Sequence, residues 1–318
     1  MLTPASFVEN SPISPYPIKA SLNGKDNEHM LTLFVDSDSD FDLESAKAIN
    51  AKIISMPYRI GETEYWPYES WDKFDADPYY NSLRSGVLPK TSGLSPAKYI
   101  SYFEPEFEKG NDILYIHFTK AMSMTFDSMH LALETLKEKY PDRKFYEIDT
   151  NAITVLSFVI ARELAQMINN GKSVEEVIEY AKKETNHYAM YFFADDLKFF
   201  AASGRVSGIT AKMGSFLNVK PIIYIGEDGK MTSIGKVMGK LKAIQTLLSK
   251  MEQFGDDVKN HPIVIGHTGW EKGALQLKEA IQKKYGADTN VEIVMVNPTA
   301  GAHAGPDGVG VVFHSLHR

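Results

Sequence analysis

The segment Pro89-Lys90-Thr91-Ser92-Gly93-Leu94-Ser95-Pro96 combines a hydroxyl-rich turn with the start of a helix. Ser95 suits the N-cap position, and Pro96 suits the first helical position, where a missing N–H costs nothing. Gly93 allows the backbone to turn tightly or to approach a ligand closely. Hydroxyls and free N–H groups at a helix start can bind a carboxylate or a phosphate, although an ordinary capped helix after a loop has the same pattern.

Predicted strands and helices alternate on both sides of this segment. Apolar runs predict strands at 31–35, 51–56, 113–118 and 144–148, and helical patterns follow at 43–50, 97–107, 126–140 and 153–170. This alternation predicts an α/β fold whose N-terminal part has a parallel sheet with helices on both faces. Ligands of such sheets bind beyond the carboxyl ends of the strands, where the polar turns at 36–40, 119–125 and 149–150 lie. The aromatic stretch 61–85 predicts a long surface loop with a short helix.

The second half of the chain mixes strands, helices and a predicted hairpin. Strands are expected at 190–194, 221–225, 231–237, 261–265, 291–296 and 309–313, helices at 240–254 and 271–285, and a glycine-rich loop at 300–308. Asp228-Gly229 between two apolar runs is typical of a hairpin turn. A boundary near 186–190 divides the chain into an N-terminal α/β domain at 31–188 and a C-terminal α/β domain at 189–318. The proline-rich residues 1–30 predict a flexible extension.

Composition narrows the functional classes. The chain has 318 residues, of which 43% are hydrophobic, which is enough for two domains with sizeable cores. The net charge of −7 and the lack of a Lys/Arg cluster argue against nucleic-acid binding. No cysteine is present, which excludes disulfides, thiol nucleophiles and Cys-ligated zinc. Because no membrane span and no signal-peptide pattern is found either, we expect a cytoplasmic protein.

The acidic repeat after the first strand admits two interpretations. Asp36, Asp38 and Asp40 resemble the opening motif of haloacid-dehalogenase-type phosphatases, in which one Asp is the nucleophile, the next is a general acid, and Mg²⁺ is held nearby. That family has Thr or Val at the fifth position, where this chain has Asp40. Alternating Asp and Ser at a strand end also suits turns and N-caps. A Mg²⁺-dependent phosphatase using Asp36 and Asp38 is therefore the alternative hypothesis.

Hydroxyl and histidine side chains elsewhere could bind a ligand. Thr119, Ser123 and Thr125 lie between a predicted strand and a helix, where they could equally serve as caps. His303 lies among glycines that would let a ligand approach closely, and His267 lies at the end of another predicted strand. The histidines show no metal-ligand spacing, so we expect no metal site. No catalytic serine elbow and no Walker-type loop is found.

Seven short motifs, taken in order, resemble the DegV family of bacterial fatty-acid-binding proteins, some of which serve as the B subunit of fatty acid kinase. The resemblance extends from Leu31 to Phe313. The motifs are Val35-Asp36-Ser37-Asp38-Ser39-Asp40, Thr91-Ser92-Gly93-Leu94-Ser95-Pro96, Ser123-Met124-Thr125, Asp149-Thr150, Gly204-Arg205-Val206-Ser207, Lys220-Pro221 and His303-Ala304-Gly305-Pro306.

The resemblance implies two α/β domains with a lipid tunnel between them. Matching the motifs position by position assigns the fatty-acid carboxylate to Thr91, Ser123 and His303, with help from Ser92, and docking of a kinase partner to Arg205. It implies a carrier and not an enzyme: it has no cofactor beyond the bound long-chain fatty acid, whose carboxylate the fatty acid kinase catalytic subunit phosphorylates to an acyl-phosphate.

Two departures from the family pattern add bulk or charge beside the expected carboxylate site. The family has Ser-Gly-Thr where this chain has Ser123-Met124-Thr125, and a glycine where it has Asp307. Both departures bear on lipid preference and on coupling to the kinase.

Overall fold

The computed structural model describes residues 30–207 and 218–318, so the predicted extension lies outside the described residues, except for Met30. Its strands are β1 (Leu31–Asp36), β2 (Ala51–Ile54), β3 (Tyr58–Ile60), β4 (Thr63–Tyr65), β5 (Lys90–Thr91), β6 (Asp112–His117), β7 (Phe145–Asp149), β8 (Tyr188–Phe193), β9 (Val206–Ser207), β10 (Val219–Ile225), β11 (Met231–Met238), β12 (Ile263–His267), β13 (Val291–Met295) and β14 (Val309–His314). Its helices are α1 (Leu43–Ala48), α2 (Ala76–Arg84), α3 (Pro96–Glu108), α4 (Thr125–Lys139), α5 (Thr154–Asn169), α6 (Val174–Glu184), α7 (Leu197–Ser203), α8 (Lys240–Phe254), α9 (Glu271–Tyr285) and α10 (Pro298–Ala304).

The N-terminal part contains the predicted parallel sheet, with the strand order β2-β1-β6-β7. Successive side chains of a strand point to opposite faces. In β1, Leu33 and Val35 therefore join the core that includes α5, whereas Phe34 joins the core of α3 and α4. The sheet is thus covered by helices on both faces, which confirms the predicted α/β fold.

A second sheet has the order β13-β12-β14-β8-β10-β11-β9 and mixes parallel with antiparallel pairs. Helices α8 and α9 cover one face. Helix α5 packs against the other face, in the same hydrophobic core through which it contacts the first sheet. The predicted hairpin is β10–β11, and Gly229 in its turn has a φ of +72°. Helix α5 is therefore a layer shared by the two sheets, while the domain boundary at 188/189 stays a prediction.

The aromatic stretch 61–85 contains the short helix expected from its sequence, α2, but the rest of it is not a free surface loop. Its strand β4 pairs with β3, which also pairs with β5, so that Tyr58 lies opposite Thr91. Helix α2 buries Tyr79, Tyr80 and Leu83 in a core of their own. Aromatic packing, which has no simple sequence period, supplies the order that the sequence pattern did not reveal.

The predicted glycine-rich loop is also corrected, because residues 298–304 form α10. The side chain of Asn297 accepts a hydrogen bond from the backbone N–H of Ala300, and Pro298 occupies the first helical position. This is the same cap-and-proline signal as Ser95-Pro96, and here the nearby glycines obscured it. His303 consequently lies in the last turn of a helix. Across the described ranges, no helix is long and apolar enough to cross a membrane.

Candidate functional site

A cavity of about 710 Å³ lies between elements of the two halves of the chain. Its volume falls within the usual range of small-molecule sites, roughly 300–1,000 Å³. Its polar end contains Thr91, Ser92, Ser123, Arg205 and His303. Its apolar wall includes Met190, Phe192, Phe200, Ile225 and Met231. The five residues that the family resemblance assigns thus line one cavity, although their roles stay predictions.

The centre of the polar end is a contact between residues 212 positions apart. Thr91 Oγ1 lies 2.9 Å from His303 Nε2. Strand β5 fixes Thr91 by pairing with Tyr58, and α10 fixes His303. If Nε2 carries the ring proton, it donates to Thr91 Oγ1, and the threonine hydroxyl hydrogen remains free for an anion. The pair can therefore donate a hydrogen bond into the cavity.

Burial, with a smaller contribution from the positive charge of Arg205, lowers the pKa of His303 to about 4. The imidazole is therefore neutral at pH 7 in the ligand-free chain. An anion placed beside the ring would favour the charged form and raise this pKa. His303 can thus respond to a bound carboxylate by taking up a proton.

Two serines line the same cavity as this pair. Ser92 is exposed and lies next to Thr91, while Ser123 Oγ accepts a hydrogen bond from the backbone N–H of Thr125. A Cβ at Gly93 would lie 3.3 Å from Thr125, so Gly93 permits the close approach expected of it. Thr125 itself is structural, since its Oγ1 accepts from the Leu94 N–H at 2.9 Å. Ser123 therefore keeps its hydroxyl hydrogen for a ligand, whereas Thr125 supports the turn.

The loop that carries Ser123 is held from two sides. Glu147 on β7 forms contacts with Lys120 at 2.6 Å and with His117 and His130 at 3.1 Å. Burial opposes ionisation of Glu147, but these hydrogen bonds outweigh it and lower its pKa. On the other side, the turn of the β10–β11 hairpin approaches Thr119 so closely that a Cβ at Gly229 would lie 2.2 Å from Thr119 Oγ1. The second sheet thus contacts the loop that bears Ser123.

Arg205 lies at the exposed rim of the cavity. It follows Gly204, whose left-handed conformation (φ +68°) ends α7. Its side chain donates a hydrogen bond to the Ser203 carbonyl. Docking of a partner through Arg205 stays a prediction, and the charge of Arg205 also acts on His303, as described above.

The two departures from the family pattern have different outcomes. Met124 is 82% exposed and lines the cavity beside Ser123, and its effect on a bound carboxylate stays a prediction. Asp307, however, is turned away from the polar end: its carboxylate contacts Arg84 Nη2 at 2.6 Å and Lys240 Nζ at 3.3 Å. The expectation that Asp307 adds charge beside the carboxylate site is wrong. Its φ of +66° accounts for a glycine being suited to this position.

The acidic turn, defined as residues Asp36 to Asp40, is built mainly as a structural unit. Asp36 is fully buried, and its carboxylate accepts from the Ser39 N–H and Oγ–H, the Tyr115 hydroxyl and the Phe118 N–H. Asp40 accepts from Asn297 N–H and Nδ2–H, and although these bonds oppose it, burial raises the pKa of Asp40 to about 7. No lone pair of Asp36 is aimed at a substrate.

The phosphatase hypothesis gains nothing from this geometry. Its nucleophile would be the saturated Asp36 carboxylate. Within 30–207 and 218–318, no group of three or more His, Asp or Glu side chains is arranged to hold a metal ion.

The sequence did not predict that two polar residues are buried in the cavity wall. The sequence pattern predicts phosphatase chemistry for Asp38 and a strand-end position for His267, but no place in a buried cavity wall for either. Both line the cavity, and both are more than nine-tenths buried. Their positions after β1 and at the end of β12 were the available signal, since ligands bind where strands end. The apolar wall could not be predicted from the sequence, because Met and Phe side chains that line a cavity look the same in a sequence as those buried in any core.

Comparisons with known proteins agree with one another. The family model described as "Uncharacterised protein, DegV family" matches residues 30–316. A DegV domain-containing protein of Clostridium perfringens is 30% identical over 285 residues, which cover 88% of this chain and 96% of that protein.

Two solved structures share the fold. One, described as fatty acid binding of a DegV family protein from Thermus thermophilus, has a TM-score of 0.77 at 21% identity and covers 90% of this chain and 99% of that one. The other is the Streptococcus pneumoniae fatty acid kinase B3 protein loaded with linoleic acid, with a TM-score of 0.74 at 19% identity and coverage of 90% and 99%.

Proposed function

The chain belongs to the DegV family, and on that premise we propose that it binds a long-chain fatty acid in the cavity between its two halves. The carboxylate would be held by Thr91, Ser92, Ser123 and His303. The strongest support is that one cavity joins a threonine–imidazole pair to a wall of Met, Phe and Ile side chains. Of the two structures of similar fold, one is described as fatty acid binding and the other as loaded with linoleic acid, which agrees with this proposal.

The apolar wall supplies the affinity in this proposal. Each buried methylene contributes about 0.8 kcal/mol, so an acyl chain of about fifteen methylenes gains roughly 12 kcal/mol before the costs of binding are subtracted. An ionised carboxylate cannot be buried without partners, because an unpaired charge in an apolar site is far more costly. The hydroxyls of Thr91 and Ser123, together with the ring of His303, meet this need at one end only, which fixes the orientation of the acid.

Charge at the polar end favours an anion. The guanidinium of Arg205 stands near enough to lower the pKa of His303, so it also attracts a carboxylate. A bound carboxylate would offset the repulsion between Arg205 and a protonated His303. The site therefore suits a group with one negative charge and two acceptor oxygens.

We further propose that a kinase partner docks at the rim beside Arg205 and phosphorylates the bound carboxylate. The carboxylate oxygen would take up the phosphoryl group from the partner's nucleotide, and the acyl chain would stay sheltered. The likeness in fold to a fatty acid kinase B3 protein supports this step. In this proposal the chain is a carrier, and catalysis belongs to the partner.

Mass spectrometry of the protein purified from cells tests the proposal directly. Denaturation should release a long-chain fatty acid in nearly equimolar amount. A ligand-free preparation that also fails to bind added fatty acids in calorimetry would overturn the proposal. Conversion of the loaded acid to acyl-phosphate by a purified fatty acid kinase catalytic subunit and ATP tests the second step separately.

A further inference from the structure

Two buried polar side chains in the cavity wall have unsatisfied atoms. Asp38 is 7% exposed and His267 is 4% exposed. Asp38 Oδ1 and His267 Nδ1 are shielded from solvent and have no hydrogen-bond partner, and neither side chain forms any other hydrogen bond among the described residues, yet both side chains line the cavity. Buried polar atoms are nearly always paired, so each exception needs an explanation. A ligand group that pairs with them would provide one.

Both residues lie at the opposite end of α10 from His303. The backbone carbonyl of His267 accepts from the Val296 N–H, and the next residue, Asn297, binds Asp40 in the same turn as Asp38. Asn297 and His303 are six residues apart on one helix, a rise of about 9 Å. The cavity follows this helix, since Val296, Thr299, Ala300 and His303 all line it. The two side chains therefore lie near the start of α10, beside the part of the cavity that Val296 and Thr299 line, where we expect the acyl chain.

We propose that this cavity selects a long-chain fatty acid that carries a hydroxyl group along its chain, and that Asp38 and His267 bind this hydroxyl. The inference rests on the proposed function and names the substrate class of the same site. A hydroxyl several carbons from the carboxylate would supply one donor and one acceptor to the two unsatisfied side chains. The carboxylate would still be held by Thr91, Ser123 and His303.

The charge state of the two side chains favours a neutral ligand group over a second anion. Burial raises the pKa of Asp38 well above its usual range, and the nearby Asp36 and Asp40 carboxylates add to the shift. Burial lowers the pKa of His267. Both side chains are thus driven towards their neutral forms, which can donate as well as accept. An alcohol matches that pair, whereas a carboxylate would not.

Specificity follows from the cost of leaving these groups unpaired. A site built to hydrogen-bond a hydroxyl rejects the analogue that lacks it, because its own buried polar groups then lose their partner. A plain saturated acid would leave Asp38 and His267 facing methylenes. We therefore expect the hydroxylated acid to bind about tenfold more tightly than its parent, with the gain confined to isomers whose hydroxyl reaches this part of the wall.

The test compares octadecanoic acid with a series of hydroxyoctadecanoic acids by calorimetry on the delipidated full chain. At least one positional isomer should bind about tenfold more tightly than octadecanoic acid. Equal or tighter binding of octadecanoic acid relative to every isomer overturns this inference while leaving the fatty-acid function in place. Failure of all the acids to bind removes the proposed function and this inference together.

Variants assign the preference to the two residues. Asp38→Leu and His267→Leu should each reduce the ratio of affinities to less than about threefold, and Asp38→Leu should also tighten binding of octadecanoic acid. Thr299→Val is the matched control, since Thr299 lines the same wall but its hydroxyl already donates to the Met56 carbonyl at 2.7 Å. Its ratio should stay that of the wild type. A preference that persists in both leucine variants contradicts the assignment, and if neither variant folds, the wild-type series still decides the question.

Discussion

The acidic turn and the polar end of the cavity are both rich in Ser, Thr or Asp, yet they use their hydrogen bonds differently. In the acidic turn, Asp36 accepts four bonds from the protein itself, and Ser37 Oγ accepts from the Met56 N–H. At the polar end, the side chains of Thr91 and Ser123 each form one hydrogen bond, and both side chains line the cavity. Asp36 and Ser37 are saturated by hydrogen bonds within the protein, whereas Thr91 and Ser123 keep hydroxyl hydrogens for a ligand. Asp38, in the same turn, is the exception, because it lines the cavity without a partner.

This difference separates residues that support the fold from residues that can bind. Short polar side chains after a strand suit both tasks, so their type does not decide between them. What decides is whether the hydrogen-bonding capacity is consumed within the protein. Substitutions of Asp36 or Ser37 should therefore reduce stability, whereas substitutions at the polar end should reduce ligand affinity.

The largest effect is expected for Asp36→Ala. The substitution leaves the Phe118 N–H, the Ser39 N–H and two hydroxyls without their acceptor in a fully buried site. We expect a loss of about 3–4 kcal/mol in the free energy of unfolding, measured by urea denaturation. Asp36→Asn keeps one acceptor oxygen and should lose less. A stable Asp36→Ala protein would show that the turn is not the structural unit described.

The next effect concerns His303 and pH. Its pKa is about 4 in the folded chain and near 6.5 when unfolded, so the unfolded state binds more protons between these values. The stability contributed by the neutral ring is complete above pH 6.5 and is lost as the pH falls towards 4. A shift of one pKa unit corresponds to about 1.4 kcal/mol of stability. Because the ring of His303 is partly exposed, we expect a total loss of only about 2 kcal/mol.

Urea denaturation of the ligand-free wild type and of His303→Gln at pH 7 and pH 4.5 measures this contribution. The variant has no titratable group at the position, so the wild type should lose stability relative to it on acidification. Parallel pH profiles would show that His303 is not held neutral. A bound fatty acid should weaken the dependence, because its carboxylate favours the charged ring.

A matched pair of serines compares the two regions directly. Ser123→Ala and Ser37→Ala each remove a hydroxyl that accepts one backbone N–H, from Thr125 and Met56 respectively. Ser37 is fully buried and Ser123 is half-buried, so the loss in unfolding free energy should be larger for Ser37→Ala, about 1–2 kcal/mol, than for Ser123→Ala, about 0.5–1 kcal/mol. Fatty-acid affinity should fall about tenfold for Ser123→Ala only, because only its hydroxyl faces the polar end. Equal losses of affinity, measured by calorimetry, would contradict the assignment of Ser123.

Periodic elements were predictable from the sequence, whereas elements defined by tertiary contacts were not. The helix at 271–285 was predicted to the residue, and the parallel strands to within two residues, because their apolar periods are regular. The glycines around α10 predict a loop and so obscure its Asn297-Pro298 helix start. The sheet of β3, β4 and β5 was missed because its order comes from packing around Tyr58 and Tyr79.

The candidate site also depends on tertiary contacts that no sequence period reveals. Thr91 and His303 are 212 residues apart, and no spacing rule connects them. They were named together only through the resemblance to a family. The orientation of Asp307 was predicted wrongly for the same reason, since the resemblance gives the position of a residue but not the partner of its side chain, here Arg84. The contrast between saturated and spare hydrogen bonds is a property of the folded chain alone.

The smallest effect, expected for Asp307→Gly, tests the corrected position of that residue. The substitution removes a partly exposed ion pair with Arg84, worth about 0–1 kcal/mol, but places glycine where φ is +66°. The two changes oppose each other, so the net change in unfolding free energy should stay within about 0.5 kcal/mol. Asp307→Ala loses the same pair without relieving the backbone, and it should be about 1 kcal/mol less stable than the glycine variant.

Fatty-acid affinity should change less than about twofold in both variants, because the carboxylate of Asp307 is directed at Arg84 and Lys240. A tenfold change in affinity, by contrast, would show that Asp307 lies close to the bound carboxylate. In that case a residue assigned here to the support of the fold would also take part in binding.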